Sequence, residues 1–152
     1  MWNLGSEMLV TWDPERTRQV NPLDEWLAAG ASLAAGTDIA RPFNPMTNVW
    51  GMATRGTKAA GIQGPEHAIP VATALGLYTM GTAALNHEQD RAGSVTPGKL
   101  ADLVAYRTDP LTADLDDLAE LTPVFTIVGG RAMHDPGGVL GSPDPEVLPE
   151  RS

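Results

Sequence analysis

The sequence predicts an α/β chain, and three observations carry that prediction. Helix signals and a short apolar strand alternate up to about residue 90, β-branched and apolar runs follow Gly93, and an acid closes the first strand in Ala31-Ser-Leu-Ala-Ala-Gly-Thr-Asp38. A carboxylate at the C-terminal end of a strand sits where parallel α/β proteins gather their chemistry, at the mouth formed by the strand ends. Asp38 is therefore the first candidate functional residue.

The elements follow in order. Asn21-Pro22 supplies an N-cap and a first-turn Pro, Asp24 and Glu25 suit the helix N-terminus, and Gly30 stops a helix of about two turns. Residues 31–35 are apolar on both faces, which predicts a buried parallel strand. After Gly36 and Asp38, the rigid stretch 41–45 repeats the cap signal at Asn44-Pro45. It opens a helix with Met46, Val49, Trp50 and Ala53 on one face. Arg55 and Lys58 are expected to complement the C-terminal end of that helix, with Gly61 as its stop; Gly51 and Gly56 inside it suggest close packing. A third helix starts at Pro70 with Val71, Leu75 and Tyr78 on one side, and Thr79 is placed to cap a further turn through Leu85.

Strands are predicted over 100–106 and 124–128, with Gly129-Gly130 as a two-residue hairpin turn into 131–134. Between them Asp109-Pro110 marks a loop, and Leu115, Leu118 and Leu121 mark a short amphipathic helix. Residues 135–152 hold four Pro and three Gly among few large apolar groups, so a disordered tail is expected.

Composition narrows the function. At 152 residues and 42% hydrophobic the chain can bury a core, yet it falls short of the roughly 250 residues of a complete eight-fold α/β barrel. Lys and Arg number 10 against 19 acids, a net charge of −9, which argues against nucleic-acid and membrane partners. The absence of Cys excludes disulfides and thiolate metal sites. With neither a leader pattern at the start nor an apolar run near the roughly 18 residues of a membrane span, a soluble, cytoplasmic protein is expected.

Asp38 can ligate a metal or accept a proton from water, or it can cap its own loop or pair with Arg41. His67, His87 and His134 lack metal-ligand spacing and read as surface or structural histidines. The run Gly93-Ser-Val-Thr-Pro-Gly-Lys-Leu100 imitates a phosphate-binding loop, but Leu100 stands where a hydroxyl is needed and a strand follows; Pro97-Gly98 suits a type II turn. The acids at 114–117 read as a solvated helix face.

Taken in order, Gly36-Thr-Asp38, Ala74-Leu-Gly-Leu-Tyr-Thr79, Gly93-Ser-Val-Thr-Pro-Gly-Lys-Leu-Ala-Asp-Leu-Val104, Asp109-Pro-Leu111 and Thr126-Ile-Val-Gly-Gly-Arg131 resemble the C-terminal portion of the metal-dependent amidohydrolase superfamily. The branch is the amidohydrolase 3 group of YtcJ-like and N-substituted formamide deformylase proteins. The resemblance runs from about Asn21 to His134. It implies the C-terminal fragment of a (β/α)8 TIM barrel over residues 1–90, its last strand with flanking helices, then antiparallel strands of a small β-sandwich over 91–134. It also implies hydrolysis of carbon–nitrogen bonds other than peptide bonds in a small amide-type substrate, by water activated on a divalent metal, zinc.

In the family Gly-[ST]-Asp ends the eighth strand, which makes Asp38 by resemblance both metal ligand and catalytic base. The family's histidine ligands precede that strand and have no counterpart in this chain. A catalytic zinc takes about three protein ligands, so the chain is expected to be inactive alone and to work as a homo-oligomer or with a complementing chain. The rival expectation is a non-catalytic remnant or interaction module that binds a partner chain through exposed barrel and sandwich edges. A weaker rival is nucleotide binding at 93–99.

Overall fold

The computed structural model describes residues 5–38 and 43–141. Two short helices open it for which no prediction is made above, α1 (Gly5–Thr11) and α2 (Pro14–Arg18). Their signal is plain in hindsight: Asp13 accepts the Arg16 N–H at 2.9 Å and Pro14 takes the first helical position.

Helix α3 (Leu23–Ala28) begins one residue later than expected, with Pro22 at the cap position and Asn21 in the left-handed region at φ 51. Its end is as the sequence predicts. Gly30 turns left-handed at φ 78, its N–H reaches the Leu27 carbonyl at 2.9 Å, and the Ala31 N–H reaches that of Trp26 at 3.0 Å.

Helix α4 (Pro45–Thr54) has the predicted cap, Asn44, whose Oδ1 accepts the Met46 N–H at 3.0 Å. Met46 and Val49 of the predicted face are buried, each 1% exposed. The helix stops at Thr54 rather than continuing to Gly61. Arg55 turns left-handed at φ 61 and its side chain goes inward, so it does not serve as a solvent-facing charge at the helix end. The chain then doubles back, pairing Gly56 with Ile62. Gly56 lies under the Trp50 ring, where a Cβ would overlap the indole; this is the close packing that the glycines suggested.

After a 3₁₀ turn (Pro65–His67), α5 (Val71–Gly76) runs into a π-helical turn (Leu77–Gly81) and on into α6 (Thr82–Leu85). Thr79 caps nothing here. It lies within the wide turn and its hydroxyl donates back to the Leu75 carbonyl at 3.1 Å.

Residues 31–35 do not form the expected strand. A parallel strand requires ladders to its neighbours, and among the described residues none pairs with this segment, so its polar groups turn to helices. The Ala35 N–H donates to the Leu77 carbonyl at 3.1 Å, and the Thr82 hydroxyl donates to the Ala35 carbonyl at 3.2 Å.

The β unit matches the prediction closely. Strands β1 (Leu103–Tyr106), β2 (Pro123–Val128) and β3 (Arg131–His134) form an antiparallel sheet in the order β1-β2-β3. Gly129 and Gly130 both have positive φ, 56 and 77, as a type I′ hairpin requires. The first strand begins at Leu103 rather than residue 100, because Asp102 and Ala101 grip the hairpin instead: Asp102 Oδ1 accepts the Gly129 N–H at 2.6 Å, and the Ala101 carbonyl that of Gly130 at 3.1 Å. Helix α7 (Leu115–Leu118) buries Leu118 completely and leaves Asp116 and Asp117 exposed. With Met46, Val49, Ile69, Ala74 and Leu77, Leu118 forms the core.

Helices with an antiparallel sheet fit an α/β chain in the coarse sense. Of the segment expected to be a disordered tail, residues 135–141 are described and form turns in which the Asp135 carboxylate accepts the N–H groups of Val139 and Leu140 at 2.8 and 2.9 Å; 142–152 lie outside the described residues.

Candidate functional site

The segment leading to Asp38 is anchored from three sides. The π turn widens the helix by one residue per turn and aims the Leu77 carbonyl at Ala35. Gly81 removes the side chain that would strike the Leu33 carbonyl. From α4, Asn48 Nδ2 donates to the Gly36 carbonyl at 3.3 Å and to the Tyr78 hydroxyl at 2.8 Å. Burial raises the Tyr78 pKa against the lowering effect of the Asn48 amide, so the phenol stays a neutral partner.

Asp38 follows in a left-handed conformation, φ 45, exposed at the rim of a cavity of about 610 Å³. Leu23, Trp26, Met52, Leu77 and Tyr78 give this cavity apolar walls, and Asn48 and Arg55 add polar groups. No hydrogen bond or ion pair from another described residue reaches the Asp38 carboxylate; Arg41, its alternative partner, lies outside the described residues.

Arg55 is the feature that sequence reasoning misplaced. The residue is 3% exposed, and its guanidinium donates to three main-chain carbonyls: Nε to Gln63 at 3.1 Å, Nη1 to Asn21 at 3.0 Å and Nη2 to Val20 at 2.6 Å. Burial lowers its pKa, while Asp24 and Glu66 oppose the shift. The only advance signal was an Arg immediately before a Gly at a helix end.

The histidines do not converge on Asp38. His67 is buried, its Nδ1 2.7 Å from Asp24 Oδ1, and its buried Nε2 has no partner among the described residues. His87 and His134 are exposed. Among the described residues no group of three His, Cys, Asp or Glu is placed to hold a metal.

Burial pushes the Asp24 carboxyl up, but the hydrogen bonds from His67 and the Glu25 N–H outweigh it and leave the group below the usual aspartate range. A lowered folded-state pKa stabilises the fold above the unfolded value of about 3.9, and that contribution disappears as pH falls through the folded value. Urea midpoints followed from pH 5 to pH 2 are therefore expected to fall further for the wild type than for Asp24→Asn.

The imitation phosphate loop is structural. Gly98 has φ 91, the Lys99 N–H closes the turn onto the Thr96 carbonyl at 3.1 Å, and Lys99 Nζ is committed to the carbonyls of Gln89 at 2.6 Å and Ala92 at 3.0 Å. No helix among the described residues is long and apolar enough to cross a membrane.

Comparison with known proteins agrees with the family resemblance. The chain is 26% identical to N-substituted formamide deformylase of Arthrobacter pascens over 135 residues, 87% of this chain and 25% of that protein. It is 38% identical to the 5-methylthioadenosine/S-adenosylhomocysteine deaminase of Moorella thermoacetica over 86 residues, 56% of this chain and 20% of the relative. The same enzyme of Desulforudis audaxviator is 32% identical over 90 residues, 59% of this chain and 21% of its own length. The chain thus spans a quarter or less of these relatives. The amidohydrolase family model matches residues 2–134, so the chain belongs to the amidohydrolase family, in its amidohydrolase 3 group.

Proposed function

We propose that this chain contributes the last barrel segment and the sandwich strands of an amidohydrolase that breaks a non-peptide carbon–nitrogen bond in a small amide-type substrate. The observation that carries this reading is the family match over residues 2–134 combined with Asp38 at the rim of the cavity, anchored through Ala35 and Gly36. The names deformylase and deaminase both denote carbon–nitrogen cleavage, which supports the bond type. On this reading residues 1–90 belong to the barrel, 91–134 to the sandwich, and the protein works in the cytoplasm.

The family's divalent metal, taken as zinc, does not find a complete site among the described residues. Asp38 is a lone carboxylate there, and a catalytic zinc needs about three protein ligands. Asp38 is proposed as one ligand and as the proton acceptor, the remaining ligands coming from a second copy or a complementing chain. Metal analysis of the chain purified from its own cells, with whatever assembly it forms, tests this. One zinc per chain is expected, lost in Asp38→Asn. Zinc retained at full stoichiometry by Asp38→Asn, or absent from both, overturns the assignment.

The alternative, a non-catalytic interaction module, is favoured by one observation: β1 and β3 each leave an edge unpaired among the described residues. A chain that forms a stable complex but binds no zinc in it supports this second reading.

A further inference from the structure

We propose that the cavity beside Asp38 holds a small organic carboxylate, its anionic group against Arg55 and its apolar body against Trp26, Leu77 and Tyr78. The inference rests on reading this cavity as the seat of a substrate, and names a second group that the amide-type substrate carries, a carboxylate.

Arg55 lines the cavity and is 3% exposed. A guanidinium offers five N–H donors. Its three partners are neutral carbonyls, so among the described residues donors remain unused and the positive charge has no counter-ion. The two acids that influence it are already engaged: Asp24 lies 2.7 Å from His67, and Glu66 lies 2.7 Å from Arg18. None of the ion pairs between described residues includes Arg55. A desolvated cation with carbonyl partners alone is costly, and an entering carboxylate converts that cost into charge-assisted hydrogen bonds.

Among the described residues that line the cavity, Asp38 is the only other acidic or basic one, and it is exposed where Arg55 is buried. The cavity is thus positive at one wall and negative at its rim, which suits one negative charge and disfavours a dianion. The walls formed by Trp26, Met52, Leu77 and Tyr78 suit an aryl or alkyl body.

The test is an NMR titration of the metal-free chain with phenylacetate and, separately, with phenylacetamide, its neutral counterpart. Phenylacetate is expected to shift the Arg55 Nε–H signal and the backbone of 34–37 saturably, binding about tenfold or more tighter than the amide. Asp38→Asn is expected to tighten phenylacetate and leave the amide unchanged, and Arg55→Gln to abolish the preference. Arg55→Gln also removes a clamp on Val20, Asn21 and Gln63 and so risks unfolding; the paired titration of the unaltered chain decides the matter without it. Equal shifts from both compounds, absence of saturation, or shifts confined to the surroundings of Arg18 overturn the proposal. Because the titration contains no metal, its failure is separate from failure of the zinc assignment.

Discussion

Replacing Leu118 by Ala is expected to lower stability by about 3 kcal/mol, within the range of roughly 2–5 kcal/mol seen for buried leucines. Leu118 is completely buried, and among the described residues it is the one buried core side chain contributed by the part of the chain that carries the sheet. It packs with Met46, Val49 and Leu77. Removing its isobutyl group leaves a void at the junction between α7 and the helices, and the loss combines transfer from water with the unfilled space. Thermal unfolding is the measurement, with a fall of about 6–12 °C expected for a chain of this size. A fall under about 2 °C shows that α7 is not held by this contact.

Asn44→Ala is expected to cost about 2–3 kcal/mol although the residue is polar and lies outside the core. One amide performs three tasks. Its Oδ1 caps α4 through the Met46 N–H, and its Nδ2 donates to the Ala119 and Leu121 carbonyls, each at 2.9 Å. The cap accounts for about 1 kcal/mol and each donated bond for about as much. Asn44→Asp separates the terms, since aspartate keeps the cap and cannot donate. It is expected to lose more stability than a cap-only role allows, because it sets a carboxylate against two carbonyl oxygens. Urea midpoints of the two variants supply the comparison; an Asp variant as stable as the wild type shows that Nδ2 carries nothing.

What could be read in advance divides along the range of the forces. Caps and turns are local, so Asn44-Pro45, Gly30, Pro97-Gly98 and Gly129-Gly130 announce themselves from neighbours in sequence. The fate of 31–35 is not local. Its composition suits a buried strand, but a ladder needs partners, and in their absence Ala35 and Gly36 bond to Leu77, Thr82 and Asn48, residues distant in sequence. Thr79 misleads for a related reason: a hydroxyl in a helical run can cap or bond backward, and the wide turn at 77–81 settles which. Asp38 was legible as a candidate from its place after an apolar run. Arg55 was not, because a cation at a helix end ordinarily faces water, and only the backward fold of 56–62 carries it inside.

The helix from Val71 to Leu85 contains one more residue than ordinary α geometry accommodates. Deleting a single position such as Met80 would let the ladder close with Thr82 still bonded to the Leu77 carbonyl, whereas deleting a residue of an ordinary turn, such as Thr73, would swing everything after it by about 100° around the axis. The Thr82 hydroxyl would then face away from Ala35, and the strip of chain that carries the rim acid would lose its tether. In this molecule the register of one helix, counted in residues rather than chemistry, governs where an acid stands some forty positions earlier in the chain.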